Sequence, residues 1–99
     1  MTEVLLTIHC AAGDTETLIE AIRATTRVPL HVRAETAHGR DFGDAKTSEQ
    51  VTATLKRSAI ELVELATAID AILEAIGKAK RRSPVRWYQT PVMARGRIV

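Results

Sequence analysis

The sequence predicts an α+β fold of the ferredoxin-like βαββαβ kind, a four-stranded antiparallel sheet with two helices on one face. Three observations predict it. Segments with period-two alternation and segments with helical periodicity follow one another in the order β-α-β-loop-β-α-β. The two helical stripes are one-sided, so each helix needs a single surface to cover. The outward positions of the strands are mostly polar, as a sheet with one open face requires.

The elements follow in order. In residues 3–10, Val4, Leu6 and Ile8 point one way and Leu5, Thr7 and His9 the other, which is a strand. The stretch AAGD then punctuates, and Asp14 or Thr15 can cap a helix through residues 15–25 that carries Leu18, Ile19 and Ile22 on one stripe. Pro29 restarts the chain as a second strand, with Leu30, Val32 and Ala34 facing in and His31, Arg33 and Glu35 facing out. Residues 51–63 form the third strand, but its apolar phase flips around Lys56–Arg57, which predicts a bulge or two shorter strands. Residues 65–76 place Leu65, Ile69, Ile72, Leu73 and Ile76 on one helical stripe, with Gly77 as the stop. Ser83-Pro84 breaks the chain before a last strand, VRWYQT, which Pro91 ends. Trp87 and Tyr88 fall on opposite faces of it, predicting one in the core and one at a subunit interface.

At 99 residues the chain is one domain, residues 1–99. Phe42, Trp87 and Tyr88 are its only aromatics, so the core must be built from Leu, Ile, Val and Ala. Cys10 is the only cysteine, which rules out an internal disulfide and points to a reducing, cytoplasmic setting. No apolar run approaches the length of a membrane span, and the start MTEVLLTIHC lacks the basic leader of a signal peptide. Net charge is +2 and unevenly placed. Residues 1–76 carry 7 basic and 12 acidic side chains, whereas residues 77–99 carry 7 basic and none acidic. A positive block on an acidic body attracts anions.

Between the second and third strands, residues 37–50 hold one large apolar side chain, Phe42, among glycines and alternating charges. Connections in compact domains are commonly about 4–6 residues, and longer ones usually bind something or stay unordered alone. A segment with so little to bury predicts a flexible loop that orders on a ligand or partner.

VLLTIHC at the start, AHG at the end of the second strand, SEQVTATLKR, IELVEL and above all VRWYQTPVMARGRI carry a resemblance. In that order, the chain resembles the P-II-like (nitrogen-regulatory-protein-like) signalling superfamily, and within it a small branch known mainly as a domain of unknown function. The resemblance implies a homotrimer. It also implies clefts between subunits that sense a small effector, often an adenine nucleotide, and a loop that touches a partner, commonly a membrane transporter. Relatives of this branch are associated with heavy-metal efflux, and bicarbonate or ion uptake is the other transporter class implied. Carried over residue by residue, the resemblance makes Gly39 and Arg40 the loop-base pair that approaches phosphate. It makes Lys78, Lys80, Arg81 and Arg82 the phosphate-contacting turn, with Arg95 and Arg97 reaching in after the last strand. The glycine-rich phosphate turn of the nucleotide binders is reduced here to Gly77, and the modified loop tyrosine has no counterpart, since Tyr88 lies in a strand.

The function expected is therefore a non-enzymatic, cytoplasmic regulator that binds a nucleotide, anion or metal and acts on a transporter through loop 37–50. One alternative is a divalent-metal-binding tolerance protein using His9, Cys10, His31 and His38, residue types that suit zinc or copper. Their spacing matches no compact motif, and strand three is expected to lie between strands one and two. A third reading is a ligand-free trimeric scaffold. Catalysis is not expected: there is no Ser-His-Asp set or carboxylate pair in one motif, and His9 and Cys10, adjacent in a strand, point apart. Specific nucleic-acid binding is not expected either, because strands one and three lack the aromatics that would stack bases.

Overall fold

A computed structural model of the chain describes residues 2–38 and 54–99. The elements are β1 (Glu3–Ala11), a 3₁₀ turn (Ala12–Asp14), α1 (Thr15–Arg23), β2 (His31–His38), β3 (Thr54–Leu65), a second 3₁₀ turn (Ala66–Ala68), α2 (Ile69–Lys78) and β4 (Arg86–Pro91). The sheet has four strands in the order β2-β3-β1-β4, and every pairing is antiparallel. This is the expected βαββαβ arrangement, with β3 between β1 and β2.

The even-numbered positions of β1 build the core. Leu6, Ile8 and Cys10 are fully buried and Val4 nearly so. They share a face with Ile60 and Leu62 of β3, and Leu18 and Ile22 of α1 and Ile69, Ile72 and Ile76 of α2 complete the cluster. Side chains one helical turn apart project from one stripe, so each helix covers the sheet with three or four aliphatic residues and leaves its acidic side to water.

Four expectations about elements need correction. First, β3 pairs without interruption, with β2 from Thr54 to Glu61 and with β1 from Arg57 to Leu65, so no bulge marks the phase flip. The expected residues 51–53 of that strand lie outside the described residues. Second, Leu65 ends β3 instead of opening a helix, and α2 runs through Gly77 to Lys78. The helix stops where Ala79 turns to extended backbone, its N–H bonding the Ile76 carbonyl, and Arg81 Nε donates to the same carbonyl at 3.3 Å, a cation on the negative end of the helix. Third, β2 keeps its alternation but not its burial. It is an edge strand, and Val32 is 43% exposed although it pairs with buried Ile60. Fourth, neither aromatic of β4 is core: Trp87 is 47% and Tyr88 52% exposed, because β4 is the other edge.

Candidate functional site

The strands place the basic block and the ends of the loop segment at one end of the sheet. There β1 ends at Ala11 opposite Arg57, β2 ends at His38 opposite Thr54, and β4 begins at Arg86 opposite His9. Residues 39–50 of the expected loop, Gly39 and Arg40 among them, lie outside the described residues; Ala37 and His38 belong to β2.

The turn between α2 and β4 is organised by one acidic residue. Asp14, 3% exposed, accepts from the backbone N–H of Arg82 through one oxygen and of Ser83 through the other, both at 3.0 Å. Neither Asp14 nor Thr15 caps α1 in the expected way: Asp14 makes no capping bond to that helix. The Thr15 hydroxyl lies 2.9 Å from the Ala12 carbonyl and 2.7 Å from Ser58 Oγ. A carboxylate receiving two backbone N–H groups is what an anion cradle looks like when it is filled from within the chain.

The basic side chains of the turn divide accordingly. Arg81 is committed to the chain, bonding the carbonyls of Ile76 and Ser83 at 3.3 and 3.1 Å. Lys78 pairs with Glu74 at 2.8 Å along α2, both well exposed, an interaction of small energy. Lys80 and Arg82 extend into solvent. A cleft of about 270 Å³ adjoins the turn, walled by Leu73, Ile76, Pro84, Val85 and Trp87 with Arg81 at its edge. Arg95 lies at the opposite end of the sheet, where its Nε is 3.0 and 2.9 Å from the two Glu3 carboxylate oxygens. Arg97 stands in the exposed tail beyond it. One protomer therefore does not bring Lys78–Arg82 together with Arg95 and Arg97.

The histidines and Cys10 are also dispersed. Cys10 is on the helix face, its Sγ 4.0 Å from Thr15 Oγ1, and burial pushes its thiol above the ordinary value of 9.0. His9 is on the other face, bonded through Nδ1 to the Glu35 carboxylate and tilted against Tyr88 with ring centroids 5.8 Å apart. His31 and His38 occupy the two ends of β2, both exposed. Among the described residues no three His, Cys, Asp or Glu side chains are grouped for a metal ion.

The sequence reading missed a lattice across the polar face of the sheet. Arg33 donates to Glu61, and Thr7 Oγ1 lies 3.5 Å from the other oxygen of that carboxylate. Arg57, 4% exposed, donates to the carbonyl of His9 at 3.1 Å and is 3.5 Å from that of Pro84. His9 and Glu35 meet diagonally across β3, over the step from Ala59, which pairs with His9, to Arg57, which pairs with Glu35, and the small Ala59 side chain leaves the His9 ring room to reach across. Charges alternating in sign along β2, set against the register of β3, are the signal that could have found these pairs.

Comparison with known proteins agrees with this architecture. The profile of the family described as "Protein of unknown function (DUF3240)" matches residues 1–99. A DUF3240 family protein from Shewanella baltica OS155 superposes with a TM-score of 0.79 at 14% identity, over 100% of this chain and 99% of that one. A putative PII-like signalling protein from Thermus thermophilus gives 0.65 at 14% identity, over 93% and 88%. GlnK from B. subtilis, solved as a complex with ATP, gives 0.64 at 13% identity, over 90% and 82%. No curated protein matches the chain. Among the described residues no helix is long and apolar enough to cross a membrane. With its full length matched by the family profile and its fold shared with the PII-like signalling proteins, the chain belongs to the DUF3240 family.

Proposed function

We propose that this protein is a non-enzymatic, cytoplasmic regulator of the PII kind. It assembles as a homotrimer and senses a small anionic effector at the basic end of the sheet. The observation that carries this reading is the turn of residues 79–85, held rigid by Asp14 and Arg81 while Lys80 and Arg82 project into solvent. Fixed backbone with free cationic side chains is suited to an anion recognised by side-chain charge. The strand that precedes Gly39 and Arg40 in the sequence, β2, ends at His38 at the same end of the sheet. In this reading loop 37–50 orders when the effector is bound and meets a partner, a membrane transporter for metal efflux or for bicarbonate or ion uptake.

The GlnK–ATP structure supports an adenine nucleotide as the effector by fold alone. Asp14 argues for a different mode of contact here, since it already takes two backbone N–H groups of the turn. Lys80 and Arg82 are then the residues that discriminate. Isothermal titration with ATP, ADP and AMP tests this: binding that weakens in Lys80→Ala and Arg82→Ala supports the reading, and three flat titrations remove the nucleotide.

The metal reading requires ligands from more than one protomer, because His9 and Cys10 point to opposite faces and His31 and His38 lie at opposite ends of β2. Zinc or copper would then raise the melting temperature, and His31→Ala would abolish the gain.

A further inference from the structure

Among the described residues no strand lies against the outer edge of β4. Its register fixes which groups that edge offers. The N–H of Val92 donates to the Glu3 carbonyl at 3.0 Å, and the register runs on through Leu5 with Thr90, Thr7 with Tyr88 and His9 with Arg86. Bonded and non-bonded pairs alternate along an antiparallel ladder. The even-numbered residues of β4 therefore bond to β1, while Trp87, Gln89 and Pro91 turn their backbone groups outward. Pro91 has no N–H to offer, a common way to blunt an edge. Trp87 and Gln89 each leave an N–H and a carbonyl open to pairing.

Both residues share the helix face, since Trp87 pairs with buried Ile8 and Gln89 with buried Leu6. On that face is the cleft of about 270 Å³, with Leu73, Ile76, Val85 and Trp87 among its walls. A strand laid on the open edge would put the side chain across from Trp87 beside this apolar cleft. The chain entering β4 is strongly basic: residues 77–86 hold Lys78, Lys80, Arg81, Arg82 and Arg86 and no acidic side chain. The other clefts carry no such instruction. The one of about 310 Å³ is lined by Arg95 and Glu61, already paired with Glu3 and Arg33. The one of about 350 Å³ is walled by Thr2, Leu65, Ala66 and Thr67, none of them charged.

We infer that β4 accepts an extended segment of another protein in which an apolar residue adjoins a short acidic run. The segment pairs with the open groups of Trp87 and Gln89, seats its apolar side chain against Trp87, and lays its acidic run over the basic turn. Charge selects a foreign segment over one from a second copy. The opposite edge, β2, offers Arg33 and a Glu35 already held by His9, and the segment after β4 carries Arg95 and Arg97 and no acid. The inference goes beyond the proposed function, needing neither an effector nor loop 37–50.

Blocked hexapeptides of three glutamates joined to valine, leucine and valine, made in both chain directions, test it. Trp87 is the only tryptophan, so its emission reports the contact. At least one direction should shift that emission to the blue, and the same peptides with lysine for glutamate should not. Gln89→Pro removes an outward N–H while leaving the bonds to β1, and should weaken binding about tenfold. Trp87→Ala, followed by isothermal titration, should weaken it as well. Circular dichroism checks that both variants are folded. No shift with either acidic peptide at millimolar concentration overturns the inference. Binding that both variants leave unchanged is charge attraction alone and also overturns it. If Gln89→Pro lowers the mass of the protein in sedimentation without peptide, a second copy covers this edge and the inference falls. Flat nucleotide titrations leave it standing, so its failure and that of the effector reading are separate.

Discussion

The two faces of the sheet keep water from their central positions by opposite chemistry. On the helix face, Leu6, Ile8, Ile60 and Leu62 disappear beneath two helices and contribute by removing apolar area from water. On the other face none of the described helices lies over the strands, yet Thr7 is 1%, Ala59 0% and Arg57 4% exposed. They are roofed by the long side chains of Arg33, Glu35, Glu61 and His9, tied to one another by ion pairs and hydrogen bonds. Burial alone therefore does not identify the core. The aliphatic layer is where the stability resides, and the charged layer fixes shape at little net gain, because pairs this close to water are screened.

The strongest test of that contrast is a cavity in the aliphatic layer. Leu6→Ala removes a fully buried side chain at the centre of the cluster and is expected to cost about 3 kcal/mol in urea unfolding. Cutting a side chain of similar size from the roof, as in Glu61→Ala, should cost far less. If the two losses are equal, the polar face carries as much stability as the core and the contrast fails.

Asp14 sharpens the comparison, because it is a charged group doing structural duty among buried residues. Asp14→Ala leaves the N–H groups of Arg82 and Ser83 without their acceptor, and a lost charge-assisted bond is worth about 1.5–3 kcal/mol. A loss of about 2 kcal/mol is expected on the same grounds. Amide exchange at Arg82 and Ser83 should rise well above that of β1, and unchanged protection there would show that the turn does not depend on this carboxylate.

Ala59→Leu asks how the roof closes. A larger side chain at this position, directly opposite His9 and Arg33, crowds the diagonal contact from His9 to Glu35, and overpacking of this kind typically costs about 1–3 kcal/mol. The expected result is the low end of that range, since the roof can lift toward solvent, together with loss of the His9–Tyr88 ring contact in NMR spectra. Retention of that contact would mean that a small residue is not what lets the pair meet.

These residues also show what could be read from the chain and what could not. The strand order and both helical stripes were legible because one-sided burial writes a period into the sequence, as in Val4-Leu6-Ile8 and Ile69-Ile72-Ile76. The exposure of Val32 and Trp87 was not, because alternation reports which way a residue faces and not whether the strand is at an edge. Leu65 was misassigned for a similar reason: its spacing to Ile69 fits a helix and its parity fits β3, and only the pairing with Glu3 decides. The basic block was legible as charge. Its internal division, Arg81 committed to the chain and Lys80 and Arg82 free of it, depends on Asp14, a residue far away in the sequence whose carboxylate looks there like a helix cap.

The smallest effect lies at the sheet end where the lattice gives way to the segment after β4. The hydrogen bond from Arg95 holds the Glu3 carboxyl below its ordinary value of 4.5, and the nearby positive charge of Arg95 adds to it. A carboxyl depressed in the folded state contributes its stability above the unfolded value, and that contribution disappears as pH falls through the folded one. The window is thus on the acid side of 4.5. In Arg95→Ala the Glu3 titration, followed by side-chain carboxyl carbon shifts, should move back up toward 4.5, with global stability at neutral pH scarcely changed because the pair is exposed. A Glu3 titration indifferent to Arg95 would mean that the tail is not anchored at its root.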